Sequence, residues 1–277
     1  MRKRNLGIIL GSIIILGGIV ISGSDKVVAS SYEKNDKNII AHCLGSVDGK
    51  IHTNSKEAFE EFYSKGVRNF EVDLIKTADG HLVARHDWME YLYETLEQPI
   101  LSRNNTAPLL EDFKNTKINK KYTPLDFNDL LDLLIKYPEA NIILDTKVED
   151  KESITEIFTL IENQMKEKGV NSKQIIPQIY NREMLAYIND IYKFENVYYT
   201  LYLDKVKEQE VLDFAKENDN VKAIVMPTYK YNKSFIKNLS ENGINSYVHT
   251  INKMNEAKKF LDNGVTGIYS DEITEIK

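Results

Sequence analysis

The chain has 277 residues and a formal net charge of -6, which argues against a broad nucleic-acid surface. Hydrophobic residues make up 42% of it, enough for one large core or two modest ones. Cys43 is the only cysteine, so no internal disulfide forms.

The sequence starts MRKR and continues without charge as far as Ser24, strongly apolar from Leu6 to Ile21. A basic start before a short apolar run predicts a signal peptide or an N-terminal membrane anchor over 1–29. VVAS at 27–30 offers a cleavage point after Ala29, and the cleaved and retained forms both stay open. Either form places the protein outside the cytoplasm, secreted or held at a membrane. Residues 30–37 read as a polar linker and 38–277 as the folded part.

Short apolar runs then alternate with helical patterns. NIIAH (38–42) reads as a strand, and SKEAFEEFYSKG (55–66) as a helix capped by Ser55 and closed by glycine. RNFEVDL (68–74) and HLVARHD (81–87) are strands. The six residues between them are far too few for a parallel crossover, and Asp79-Gly80 signals a hairpin turn. The second of the two therefore returns antiparallel, as an arm.

Further on, strands at 141–147, 173–181, 196–203, 221–227, 244–252 and 265–271 are separated by helices. Those helices span 151–169, 182–192, 209–218, 233–243 and 254–264, and another at 124–138 precedes the first of these strands. With the arm set aside, eight strands remain in about 240 residues, the size and count of a (β/α)8 TIM barrel. An open doubly wound sheet is the runner-up. AHCLGSVDGK lacks the GxGxxG loop such a fold would carry after its first strand for a dinucleotide.

In a barrel of this kind the C-terminal strand ends face one mouth. There the sequence places His42, then Glu71 and Asp73 on one strand face, His86 and Asp87 on the arm, and Asp145 with Lys147. Gln178, Tyr180, His249, Asn252, Tyr269 and Asp271 end later strands. Burying Glu71, Asp73 and Asp145 together costs several kcal/mol or more without a cation. A hard dication, Mg2+ or Ca2+, would relieve that cost; pairing with Lys147, Arg68 or Arg85 is the purely structural alternative.

No G-x-S-x-G or H-E-x-x-H occurs, and the lone cysteine has no ligand-spaced partner that would favour zinc. Two histidines beside a carboxylate-bound cation point to phosphoryl chemistry. One ring deprotonates an attacking hydroxyl and the other protonates the leaving oxygen, while the cation and Lys147 hold phosphate oxygens.

AHCLG at 41–45, TNSKEAF at 53–59, FEVDLIKTADGHLVARHD at 70–87 and ILDTK at 143–147 resemble the glycerophosphodiester phosphodiesterase family. That family is related to the phosphatidylinositol-specific phospholipases C. HTIN at 249–252 and GIYSD at 267–271 resemble its closing segments, so the likeness runs from about residue 38 to the end. The resemblance implies His42 and His86 as the acid-base pair, Glu71, Asp73 and Asp145 as metal ligands, and Lys147 as phosphate ligand. It also implies a role for Asn54 in orienting its loop or touching phosphate. By the same resemblance, the glycerol hydroxyl of the substrate attacks first, and water then opens a cyclic phosphate.

Three positions depart from the family pattern: Cys43 stands where arginine is usual, Thr53 where glutamate is common, and Asp145 where a glutamate ligand is usual. A thiol cannot replace a bidentate phosphate donor.

The long connection 88–123 brings Trp88, Met89, Tyr91, Leu92 and Tyr93, which would cap the barrel or line an acyl groove. The expected substrate is a glycerophosphodiester or the headgroup of a phospholipid, with a membrane surface as the expected setting. Gln178, Tyr180 and Tyr269 are further substrate-binding candidates. A phospholipid hydrolase and a non-catalytic cell-surface binding module are the alternatives.

Overall fold

The computed structural model describes residues 39–203 and 205–277. Nine strands and nine α-helices follow one another along the described chain: β1 (Ile39–Ala41), α1 (Lys56–Ser64), β2 (Asn69–Lys76), β3 (Leu82–Ala84), α2 (Glu90–Thr95), α3 (Leu110–Asn115), α4 (Phe127–Lys136), β4 (Asn141–Asp145), α5 (Lys151–Lys168), β5 (Ile175–Ile179), α6 (Arg182–Asn189), β6 (Val197–Thr200), α7 (Glu208–Glu217), β7 (Val221–Pro227), α8 (Lys233–Glu241), β8 (Asn245–His249), α9 (Met254–Asp262) and β9 (Gly267–Ser270).

Local chemistry sets the helix starts. The Ser55 hydroxyl accepts the Ala58 N–H at the head of α1, and Asp126 and Asp129 form a reciprocal capping box on α4. Asn181 and Asn232 cap α6 and α8 by accepting backbone N–H groups of the first turn on their side-chain oxygens. Gly169, in the left-handed conformation, ends α5.

Eight strands pair in parallel, and β1 bonds both β2 and β9, so the sheet closes on itself. β3 lies outside the ring, antiparallel to the end of β2, with Lys76 opposite Leu82. Between them Thr77 N–H donates to His81 O and Gly80 N–H to Thr77 O, with Gly80 at φ 83°. The barrel with a hairpin arm after its second strand is thus the observed fold.

Strand alternation divides the core in two. Ile39, Ala41, Ile142, Leu144, Tyr199, Ile224 and Val248 face outward and join the buried faces of the helices. Ile40, Ile143, Ile176, Tyr198, Ala223, Val225, Tyr247 and Tyr269 form a separate cluster, which fills the barrel. Tyr198 and Tyr247 stack within it at 5.5 Å.

The connection after β3 neither caps the barrel as one unit nor stays unstructured. Leu92, Leu96, Ile118 and Tyr122 bury against Val47 and Ala58 as a small satellite core. Trp88 lies edge-on to Phe113 and donates its indole N–H to Lys76 O. Of the five apolar residues at its start, Leu92 and Tyr93 are buried, whereas Met89 and Tyr91 are exposed. Arg85 is buried with its guanidinium against the Trp88 and Tyr93 rings, away from the barrel mouth.

The expectation of a membrane-spanning protein is corrected here. Among the described residues no helix is long and apolar enough to cross a membrane. The longest, α5, alternates buried Ile154, Ile157, Phe158 and Ile161 with charged residues along its outer face, the pattern of a helix lying on a barrel. The predicted leader (1–29) and linker (30–37) lie outside the described residues.

Candidate active site

Two residues up most strands from the apolar layer, the same inward face turns polar, β7 with Pro227 being the exception. Ile40 is followed by His42, Ile143 by Asp145, Ile176 by Gln178, Tyr198 by Thr200, Tyr247 by His249 and Tyr269 by Asp271. β2 is polar at both levels, with Glu71 and then Asp73. A cavity of about 410 Å3 opens above this layer, bordered by His42, Glu71, His86, Asp145, Lys147, Gln178, Tyr180 and Tyr269.

The carboxylates converge. Asp73 and Asp145 are direct neighbours in the β2–β4 register. All three side chains are buried. Lys147 Nζ lies 2.8 Å from Asp73 Oδ1 and also contacts Asp145 Oδ2. One lysine thus faces three carboxylates, so the purely structural pairing is met only in part.

The turn after β1 is shaped to serve them. Cys43, Leu44 and Gly45 all have positive φ, at 50°, 64° and 94°. A Cβ on Gly45 would stand 2.5 Å from the Phe62 ring, so the position demands glycine. The turn aims the Cys43 N–H at Glu71 Oε2, at 2.8 Å. Its thiol points to Asp73 Oδ2 at 3.1 Å.

Each histidine of the expected pair is held by its own carboxylate. His42 Nδ1 is 2.8 Å from Asp271 Oδ1, and Asn252 fixes Asp271 through its side-chain N–H at 2.7 Å. His86 Nδ1 is 2.7 Å from Asp87 Oδ2, which also accepts from the Tyr91 hydroxyl. The backbone O of Asp87 accepts from Arg85 Nε at 2.6 Å. Both rings border the one cavity.

The other candidates take different places. Asn54 is buried beside Asp73, donating to its Oδ2 at 2.9 Å and accepting from its N–H, and does not border the cavity. Gln178 accepts from the Tyr269 hydroxyl at 3.2 Å. Tyr180 accepts from the Lys147 N–H at 3.1 Å and so steadies that residue's left-handed backbone.

Burial, then the Asp73 charge, raises Glu71 to about 8. Burial raises Asp145 as well, with Lys147 opposing. For Asp73 burial is outweighed by Lys147, and its carboxyl titrates well below the usual range. Burial disfavours the charged form of His42, but the Asp271 hydrogen bond and the Glu71 charge prevail and raise it to about 9. Burial lowers His249 to about 4, leaving a neutral ring on the far wall.

Burial of the Glu71 and Asp145 carboxyls, with the Asp73 charge beside them, is one sign of a cation site. A second is Asp145 Oδ1, buried without a hydrogen-bond partner. Carboxylate oxygens are the kind a hard dication takes; Glu71 and Asp73 have ligand atoms within 4.8 Å of each other and of Cys43, and Asp145 is not part of that close group.

Sequence reasoning missed His52, which reaches the site from the loop before α1 with Nδ1 3.4 Å from Cys43 Sγ. It also collected Asp271 at a strand end without a role, because its partner His42 is 229 positions away. Parity with Tyr269 was the available signal. Tyr202 and Leu203, on the cavity rim after β6, were read only as part of a strand.

A sequence model of the glycerophosphoryl diester phosphodiesterase family matches residues 47–275. No curated protein matches the chain by sequence. Among solved structures, a putative glycerophosphoryl diester phosphodiesterase from Silicibacter pomeroyi superposes with a TM-score of 0.71 at 14% identity, over 85% of this chain and 90% of that one. A glycerophosphodiester phosphodiesterase from Parabacteroides distasonis gives 0.67 at 18% identity, over 86% and 94%. A phosphodiesterase from Oleispira antarctica, solved with the product sn-glycerol-3-phosphate, gives 0.68 at 16% identity, over 86% and 94%. At such identities the likeness speaks for the fold. The family match covers most of the chain, and the chain belongs to the glycerophosphoryl diester phosphodiesterase family, enzymes that hydrolyse a phosphodiester bond.

Proposed function

We propose that this enzyme, acting outside the cytoplasm, hydrolyses a glycerophosphodiester, with His42 and His86 as its acid-base pair. Glu71, Asp73 and Asp145 would hold one dication, Mg2+ or Ca2+, and Lys147 would bind the phosphate. The observation that carries the reading is the opening of both imidazoles, two of the carboxylates and Lys147 onto one cavity.

Asp271 and Asp87 each hold an Nδ1, so each ring keeps Nε2 for the substrate. One Nε2 takes the proton of the attacking hydroxyl, and the other gives a proton to the leaving oxygen. In a glycerophosphodiester the attacking hydroxyl is the substrate's own, and a cyclic phosphate forms before water opens it. Lys147 leaves its two aspartates for the non-bridging phosphate oxygens as they gain charge. Asn54 and the Cys43 N–H keep Asp73 and Glu71 from turning. The bound dication supplies Lewis-acid stabilisation of that developing charge. Gln178, Tyr180 and Tyr269 border the space left for the alcohol.

A second reading, hydrolysis of a phospholipid headgroup, is favoured by Tyr202 and Leu203. They border the cavity with about half of their surface exposed, as a flank for an apolar tail.

Metal-stripped protein assayed on glycerophosphodiesters, teichoic-acid-like polymers and phospholipid vesicles, with Mg2+ and Ca2+ in turn, tests both. Turnover of soluble glycerophosphodiesters that returns only with a dication supports the first reading. Cleavage confined to vesicles supports the second. No turnover and no dication binding would leave a binding module.

A further inference from the structure

The turn after β1 carries metal-binding chemistry that phosphodiester cleavage does not use. Cys43 Sγ is buried, 3.4 Å from His52 Nδ1 and 3.7 Å from His42 Nε2. Zinc binds thiolate at about 2.3 Å and imidazole at about 2.0 Å, so a tetrahedral site has sulfur–nitrogen edges of about 3.5 Å. Both observed separations sit at that edge length without an ion to draw the groups in. The donor atoms of His42, Cys43 and His52 all lie within 4.8 Å of one another.

Two further observations point the same way. A metal-bound imidazole keeps its orientation by giving its other N–H to a carboxylate. His42 has that arrangement, with Nδ1 on Asp271 and Nε2 turned toward the sulfur. A fourth ligand is also in reach: Asp73 Oδ2 lies 3.1 Å from Sγ, and Glu71 Oε2 lies 4.0 Å from His42 Nε2.

We propose that Cys43, His52 and His42 form a second metal site, for zinc or another thiophilic dication, and that filling it stops turnover by occupying His42 Nε2. The donor sets divide the metals. Sulfur and imidazole select zinc, whereas the all-oxygen set of Glu71, Asp73 and Asp145 suits Mg2+ or Ca2+. As the sulfur–zinc bond forms, the thiol proton leaves to solvent, so the site loads by exchanging a proton for the metal. The metal site stands on its own geometry; the inhibition rests on the reading of His42 as an acid-base group.

The test uses the full, metal-stripped chain titrated with Co2+, then with Zn2+. A near-ultraviolet thiolate-to-cobalt band with intense tetrahedral visible absorption is expected. Equimolar Zn2+ should abolish it, and excess Mg2+ should not. Cys43→Ser should lose the charge-transfer band, and His52→Ala should weaken cobalt binding at least tenfold. Circular dichroism checks folding. Should Cys43→Ser fail to fold, His52→Ala on its half-buried loop carries the test alone.

In parallel, Mg2+- or Ca2+-supported turnover should fall at least tenfold at equimolar Zn2+, each variant being compared with its own zinc-free rate. His52→Ala should need at least tenfold more Zn2+ for the same loss. A weak octahedral cobalt spectrum, or unchanged cobalt affinity in the variants, overturns the site. A full cobalt band with undiminished turnover keeps the site, overturns the inhibition, and counts against His42 as an acid-base group.

Discussion

The lower and upper levels of the barrel interior use the same strands and the same faces, yet they do opposite things. Ile143 and Asp145 are two residues apart on β4, a rise of about 6.6 Å, and both point inward. The lower level is apolar and filled, and it holds the barrel closed. The upper level buries Glu71, Asp73 and Asp145 against a single lysine and leaves Asp145 Oδ1 without a partner. Stability comes from the first and is spent at the second, which is where the chemistry is.

Five substitutions probe that contrast, in falling order of effect. His42→Ala and His86→Ala should each lower turnover by about 10²-fold or more with little change in the denaturant midpoint. Near-wild-type turnover in either variant removes that ring from the mechanism. Ile143→Ala, one level down from Asp145, should cost about 2–5 kcal/mol of stability. Denaturant unfolding reads it, and the residual folded fraction should keep its turnover per folded molecule. If catalysis falls while stability holds, the two levels are not separable.

Gly45→Ala couples the levels, because it forces the strained turn against Phe62. A loss of about 1–3 kcal/mol is expected, with weaker dication activation as the Cys43 N–H leaves Glu71. Unchanged stability would show that the turn is not held by that contact. The smallest stability change belongs to Asp145→Asn. Removing one of three crowded carboxylates should leave the metal-free protein within about 1 kcal/mol of wild type, or more stable. The dication concentration for half-maximal activity should rise at least tenfold. A metal titration followed by calorimetry checks both, and unaltered metal affinity would take Asp145 out of the ligand set.

The strands and helices were legible in the sequence because their signals are local. Strand periodicity placed β7 at Val221–Pro227 without error, and the Asp79-Gly80 turn separated β3 from the ring. That Glu71 and Asp73 share one face was also legible, since spacing along a single strand fixes it. The contents of 88–123 were not. Leu92, Leu96, Ile118 and Tyr122 bury against Val47 and Ala58, partners far along the chain that no periodicity announces.

The sequence by itself determined the eight-strand count, the side arm and the row of polar residues at the strand ends, because alternation along a strand is a property of neighbouring residues. Only the tertiary structure decided which distant groups meet. Closing β9 onto β1 brings Asp271 to His42, and the left-handed turn at Cys43 brings its thiol beside His52 and Asp73. Ring closure and a positive-φ turn fix positions in space, and no pattern of side chains in one dimension encodes them.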